Sequence, residues 1–526
     1  MNRIDLPQWF PPMVYNLQET ARGLSLPPQA RCLVGLYDSQ SGPLADQSEN
    51  ARFLVGCQSV TPNGSQVHLV TLEEGYSCQS FHLRNQSFVH PDGEVVGLTA
   101  LPAAPLLFVS VYSSISESKT ELSSGARIWR LPPPSQSLSP TESEDEKDID
   151  FADRPPEQLE FVSSLPCNDF SSIKKVAAHP SETCSDLVCV LGPPLPGTQH
   201  FPGGRTVSPA SSFLAVLKTA SGDYAVDSCS QLRLPTEVDE VAGGAITASV
   251  NAVRWSPHRN ASTVGVAFDS GVLGIDTRCM QPCFWLGDVH WPCVRDIDFN
   301  PNLDHILATG GDDGCLSVWD LRSIQKTSAT SYGNFSFRNV SSGTVGLNPL
   351  VTIPAHSHWI WTVRYHPTRD QLLLSASSDS CVCLYGLPSF SSETRNSNKT
   401  GATKATSGGS SPAESEISVE GLEDGVLARL EQQQESIYAV DWSPVDPWTF
   451  ASVNYDGHFL VNQVPDKVKL GILLQRDDDD DEEGDVEAND FDKTCWLEAP
   501  GDLRPLPSEI VERTWHSQEK SSNGTI

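Results

Sequence analysis

His290 and Asp313 stand twenty-three residues apart, and so do His356 and Asp379. A histidine oriented by an aspartate is the pair that activates a nucleophile in acyl transfer. That chemistry needs a third member, and no Ser or Cys lies in a recognisable strand-turn-helix elbow. A second feature accounts for both pairs. Eleven residues after each histidine comes a proline, Pro301 or Pro367, and six residues after each aspartate comes an aromatic, Trp319 or Tyr385. A buried imidazole donating to a turn Asp, with an indole N–H closing the network, is a fully satisfied polar cluster that ties a loop to a turn. His290, Asp313, Trp319, His356 and Asp379 are therefore expected to be structural. His356-x-His358, Cys381-x-Cys383 and Cys279-x-x-x-Cys283 carry ligand-type residues without the paired spacing of structural zinc, and read as core packing. No phosphate-cradling glycine motif stands between a strand and a helix. No catalytic residue, metal or cofactor is expected.

The elements that position these residues repeat. Four sets share one spacing: Val253-Trp255-Pro257-Asp269-Ile275, Ile297-Phe299-Pro301-Asp313-Trp319, Val363-Tyr365-Pro367-Asp379-Tyr385 and Val440-Trp442-Pro444-Asp456-Asn462. Before each proline the chain alternates apolar, charged, apolar, as in Val253-Arg254-Trp255 and Val440-Asp441-Trp442, the period of a half-buried strand. Proline cannot donate to a ladder and ends it. A second apolar run, a turn such as Asp313-Gly314 or Asp456-Gly457, and a third strand follow. The segment leading into the next unit supplies a fourth. Four-stranded units at about 40–45 residues are the blades of a β-propeller. The template aromatics lie 44, 66 and 77 residues apart, so the later units carry insertions. Ile246 and Gln433 stand where His is expected, and Ile275 and Asn462 where Trp is expected, so the fourth and seventh networks should be incomplete. A short helix at Gly425–Gln434 is one reading of that segment.

Weaker strand signals before residue 240 add about three blades. The fold class is thus all-β: a seven-bladed WD-repeat β-propeller over 12–474, with blades near 20–85, 93–131, 159–235, 248–285, 290–325, 353–388 and 430–466. Residues 132–158 read as an acidic, Pro-rich loop, 326–350 and 389–426 as polar loops, and 475–526 as an acidic disordered tail. Ser143, followed by Glu144-Asp145-Glu146, is a candidate for phosphorylation.

Composition narrows the function classes. A net charge of −32 over 526 residues opposes sequence-independent binding to nucleic acid or anionic lipid. No stretch approaches the apolar length of a membrane helix, and MNRIDLPQWFPP lacks the apolar core of a signal peptide. The fourteen Cys are accordingly expected to be reduced. His358-Trp359-Ile360-Trp361 lies in the loop entering the sixth inner strand, and Trp291 holds the matching place after His290. Exposed Trp on an end face suggests a binding surface, because aromatic anchors dominate interface energetics. Trp291, Arg295, Trp359, Trp361 and Arg364 are the candidate partner contacts.

The residues between the template positions go further. Arg52–Ser59, Val294–Asn302, His356–Tyr365 with Asp370–Leu374, and Ser436–Ser443 with Asp446-Pro447-Trp448 and Tyr455-Asp456-Gly457 resemble the EARP-interacting protein family, also known as the tumour-suppressing subtransferable candidate WD-repeat proteins. The resemblance covers most of 248–474. It implies a non-catalytic, monomeric cytoplasmic adaptor, peripheral on endosomes and the trans-Golgi network. It would bind the endosome-associated recycling tether (EARP) and its Golgi-associated relative (GARP) and support recycling, retrograde transport and cargo sorting. The family typically has His at the Gln433 position. A chromatin-associated WD-repeat adaptor that binds histone tails is the alternative, since an acidic body suits basic tails.

Overall fold

A computed structural model describes residues 22–27, 29–37, 50–59, 64–74, 81–115, 122–132, 156–167, 169–195, 211–220, 223–233, 249–258, 261–326, 348–392 and 422–477. Ser143, most of the two polar loops and the acidic tail lie outside them.

The described strands form seven antiparallel sheets, one of them extended by a short parallel strand. The inner strands are Ala30–Gly35, Glu94–Ala100, Ile173–Ala178, Val250–Trp255, Val294–Phe299, Ile360–Tyr365 and Ile437–Trp442. Each touches the next, and the seventh touches the first, so they close a ring around a central channel. The chain is a seven-bladed β-propeller. Seven apolar clusters fill the seven contacts between neighbouring blades. This explains the second strands, which are buried on both faces. Ile306–Gly311, Leu372–Ser377 and Thr449–Asn454 have no exposed residue, because a neighbouring blade covers each side.

The ring is closed by the chain's own beginning. Arg22–Ser25 pairs with His458–Gln463 as the outer strand of the seventh blade, rather than joining the first blade, as the interval 20–85 implied. Without it the seventh sheet would end in an unpaired edge. Leu24 and Leu26 then pack in the cluster between the seventh and first blades. Gly457 makes the approach possible. It takes φ +83°, and a Cβ there would sit 2.4 Å from the Leu26 carbonyl oxygen.

Outer strands come from the segments that lead into the next blade. Glu160–Ser164 completes the second blade, Val351–Ile353 the fifth and Gly425–Leu430 the sixth. The last of these replaces the short helix read at Gly425–Gln434. Leu430 and Ala428 pack in the core while Arg429 between them points to the other face and donates to the Ala355 carbonyl and to Asp379, so the strand period wins over a helical one. A helix does follow the seventh blade, Asp466–Asp477, where Val468 and Ile472 pack into the cluster between blades six and seven. Among the described residues no helix is long and apolar enough to cross a membrane.

The fifth residue of four consecutive inner strands lines the channel: Arg254, Asp298, Arg364 and Asp441. Arg364 donates to buried Asp296, Arg254 Nη2 lies 3.7 Å from the same carboxylate, and Arg364 Nε lies 3.9 Å from Asp441. Asp441 accepts the Gly35 N–H at 2.9 Å, which carries the chain of contacts from blade four to blade one. Burial pushes the Asp298 carboxyl up to about 6, against the pull of Arg254 and Arg364. A carboxyl raised in the folded state stabilises below its unfolded pKa, and that stability is lost as pH rises through about 6. Asp298→Asn, which can still accept the Tyr365 N–H seen at 2.7 Å, should therefore raise stability at pH 7.5. A gain of about 1 kcal/mol is expected, below the full pKa conversion because Asp298 is only half-buried. Denaturant unfolding of both proteins at pH 7.5 and 4.5 checks this: the gain should shrink to a fraction of its size at the lower pH, and a loss at pH 7.5 would refute it.

Candidate functional site

The repeat histidines are held inside their blades. In the fifth, His290 Nδ1 lies 2.9 Å from the Asp313 carboxylate and Nε2 lies 2.8 Å from Thr309 Oγ1, which also accepts Trp319 Nε1–H at 3.0 Å. In the sixth, His356 Nδ1 lies 3.0 Å from Asp379, and the Ser375 hydroxyl stands 2.6 Å from His356 Nε2 and 2.8 Å from the Tyr385 hydroxyl. Burial would raise the Asp379 carboxyl, but the His356 hydrogen bond and nearby Arg429 hold it below the usual range. Thr309 and Ser375 are fully buried and each is also bonded to the aromatic at the strand end, so these His–hydroxyl pairs lie inside their blades, out of reach of a substrate.

A third network escapes the sequence template. His90 Nε2 lies 2.9 Å from Ser110 Oγ, which accepts Trp129 Nε1–H at 2.8 Å. The hairpin Leu107–Ile115/Leu122–Arg130 is longer than its counterparts, so Trp129 falls nineteen residues after Ser110, not ten. In the seventh blade Gln433 substitutes for His and donates to Ser452 Oγ at 2.9 Å. Its Oε1 and the buried Asn462 Oδ1 have no hydrogen-bond partner among the described residues.

The cysteine pair Cys381 and Cys383 is buried, and burial pushes the Cys381 thiol up to about 11. Among the described residues no group of three His, Cys, Asp or Glu is arranged to hold a metal ion.

What the blades present outward is set by a recurring irregularity. In all seven inner strands the register with the second strand slips by one residue near the start. The skipped residues are Arg31, Val96, Lys174, Asn251, Arg295, Trp361 and Tyr438. A bulge leaves its residue out of the ladder and re-aims its side chain. Here it forms a ring of seven side chains at the channel mouth, on the end where the histidine loops enter.

From blade five to blade one these side chains stack into a continuous run. Arg295 lies 4.9 Å from the ring centres of both Trp359 and Trp361, while Asp312 holds its Nε and Nη2 at 2.5 and 2.9 Å. Trp361 lies 5.9 Å from Trp359 and 4.9 Å from Tyr438, and Tyr438 lies 6.0 Å from Tyr455. Arg31 covers both tyrosines at 5.2 and 5.9 Å. Trp361 Nε1 donates to Ser378 Oγ at 2.6 Å, which fixes its ring. Trp359 is 40% exposed and Trp291 80% exposed, so both indoles present surface to solvent, Trp359 while it also packs on Arg295 of blade five.

Four of the five candidate contacts, Trp291, Arg295, Trp359 and Trp361, thus lie at this end. Arg364 does not. It sits deeper in the channel, bound to Asp296. Arg31, Lys174, Tyr438 and Tyr455 were missed. In blades four to seven the skipped residue stands four before the template aromatic, a signal the sequence does carry. Blades one to three lack that aromatic.

The closed ring, the His–Asp–hydroxyl networks and an end face built of aromatics define a WD-repeat propeller, a class that works by presenting surface. The EIPR1 beta-propeller family profile matches residues 233–385. The EARP and GARP complex-interacting protein 1 of Macaca fascicularis is 30% identical over 465 residues, covering 88% of this chain and 99% of the relative. That of Rattus norvegicus is 29% identical over 467 residues, with the same coverage. The WD repeat-containing protein DWA2 of Arabidopsis thaliana is 27% identical over 446 residues, 84% of this chain and 96% of the relative. The chain belongs to the EARP-interacting protein family.

Proposed function

We propose that this chain is a non-catalytic adaptor that binds the EARP and GARP tethering complexes. It acts peripherally on endosomes and the trans-Golgi network, in recycling, retrograde transport and cargo sorting. The relatives named for these complexes match it from end to end of their own length. The observation that carries the reading in this chain is the solvent-facing indole pair, Trp291 and Trp359, beside a rigid aromatic run. Two exposed indoles on one face are costly to hydrate and are the residue type that anchors interfaces. The repeat histidines and aspartates are consumed by the scaffold, which supports a binding rather than a catalytic role.

The mouth also discriminates against the histone alternative. Its seven bulge residues include three cations and no acid, which opposes a basic tail.

Affinity purification of the tagged protein with mass spectrometry tests the reading. Tether subunits are expected, and histones without tether subunits would overturn it. Trp359→Ala should cut tether recovery at least about tenfold, the loss of one anchor residue. Its thermal unfolding should stay near wild type, because the indole is largely outside the core. Undiminished recovery by the folded variant would remove Trp359 from the contact.

A further inference from the structure

The charge of the channel mouth runs against the charge of the protein. In a chain of net charge −32, the seven bulge residues carry Arg31, Lys174 and Arg295 and no carboxylate. Arg295 is neutralised by Asp312. The other two are not neutralised in this way. Among the described residues Lys174 Nζ donates only to the neutral Ser212 hydroxyl, at 3.1 Å. Arg31 is exposed, and its side chain has no hydrogen bond or ion pair among the described residues. What holds Arg31 is its contact with Tyr438 and Tyr455. Contact through the guanidinium face leaves the in-plane N–H donors free for oxygen acceptors, in the fork geometry that suits a carboxylate. The aromatic run begins beside Arg31 and ends at exposed Trp359, three blades around the ring.

Resting on the reading of the mouth as the partner surface, we propose that it receives an extended acidic segment of the partner protein. Carboxylates of that segment pair with Arg31 and Lys174, and its apolar side chains lie along Tyr438, Trp361 and Trp359. The arrangement explains why the cations sit on bulges. A bulge residue owes nothing to the ladder, so its charge can be presented without disturbing the blade.

The test uses the full chain and a fluorescein-labelled peptide of about twelve residues alternating Asp or Glu with Leu and Phe. Its control has Asn and Gln at the acidic positions. Fluorescence polarisation should show the acidic peptide binding at least about tenfold more tightly than the control, with the preference falling as salt rises. Arg31→Glu should abolish the preference and Arg31→Lys should keep part of it, each with wild-type thermal unfolding. Equal binding of acidic and amide peptides, or an unchanged preference in Arg31→Glu, would overturn the proposal. Equal binding by vesicles rich in phosphatidylserine that Arg31→Glu also loses would make the mouth a general anion site and likewise overturn it. The purification separates this from the functional reading. Tether recovery by wild type and by Arg31→Glu alike sinks the acidic-segment proposal alone. Absence of tether from the wild type sinks the functional reading, while the peptide preference still reports the chemistry of the mouth.

Discussion

Asp296→Ala is expected to destabilise the protein by about 3–5 kcal/mol, the cost of removing one partner from a buried charge network. Asp296 is 5% exposed, on the inner strand of blade five. Its carboxylate accepts the Val363 N–H at 3.1 Å and the Arg364 guanidinium from blade six, and faces Arg254 of blade four at 3.7 Å. Burial alone would raise this carboxyl, but Arg364 and Arg254 together hold it below the usual range. The sign is therefore opposite to that of Asp298. A depressed carboxyl stabilises at pH above its unfolded value, and the contribution is lost as pH falls below about 4 through the folded pKa. Alanine would leave two guanidiniums facing each other across the channel and one buried N–H unpaired. Asp296→Asn, which still accepts from Val363, should lose clearly less. Denaturant unfolding at pH 7.5 measures both. A loss under 1 kcal/mol for alanine would mean that apolar packing between blades, not this network, joins blades four, five and six.

Thr309→Val is expected to cost about 2–4 kcal/mol. The substitution keeps the shape and removes one hydroxyl, which sits between His290 Nε2 and Trp319 Nε1–H. Thr309 is fully buried, so water cannot replace it. Leaving a buried donor or acceptor unmade costs about 1–3 kcal/mol each, and two groups are orphaned here. The matched change Ser375→Ala in blade six should cost a similar amount through His356 and Tyr385. Thermal unfolding of both variants provides the check. A Thr309→Val protein as stable as wild type would show that the His–Asp contact alone ties the entry loop to the turn.

Blades four to seven were legible because their rules are local. A strand alternates at period two, a proline ends it, and an Asp-Gly turn reverses it, all within about twenty-five residues. The pairing of His290 with Asp313 and of His356 with Asp379 followed from that spacing. His90–Ser110–Trp129 was not legible, because a longer hairpin stretched the spacing while keeping the His–hydroxyl–Trp contacts, though His90 Nδ1 has no hydrogen-bond partner among the described residues. The closing strand Arg22–Ser25 was not legible either. Its partner lies more than four hundred residues away, and four residues carry no mark of which edge they will complete.

The candidate site divides in the same way. Trp291 and Trp359 stood out because each follows a template histidine, and the loop after that histidine must open on an end face. Arg364 looked equivalent to Arg295, since each lies on an inner strand next to apolar residues. The bulge separates them: Arg295 is the skipped residue and turns to the mouth, while Arg364, three positions further along its own strand than the skipped Trp361, is drawn to Asp296 in the channel.

Sequence alone therefore determined the repeated sheet unit and the structural fate of the repeat histidines, since each depends on contacts within one unit, and counting the strand signals along the chain gave seven units. The composition of the channel mouth was decided only by the tertiary structure. Arg31, Trp361 and Tyr438 come from three different blades and meet because the ring closes, and the closure is a property of all seven inter-blade cores together. No spacing along the chain encodes it.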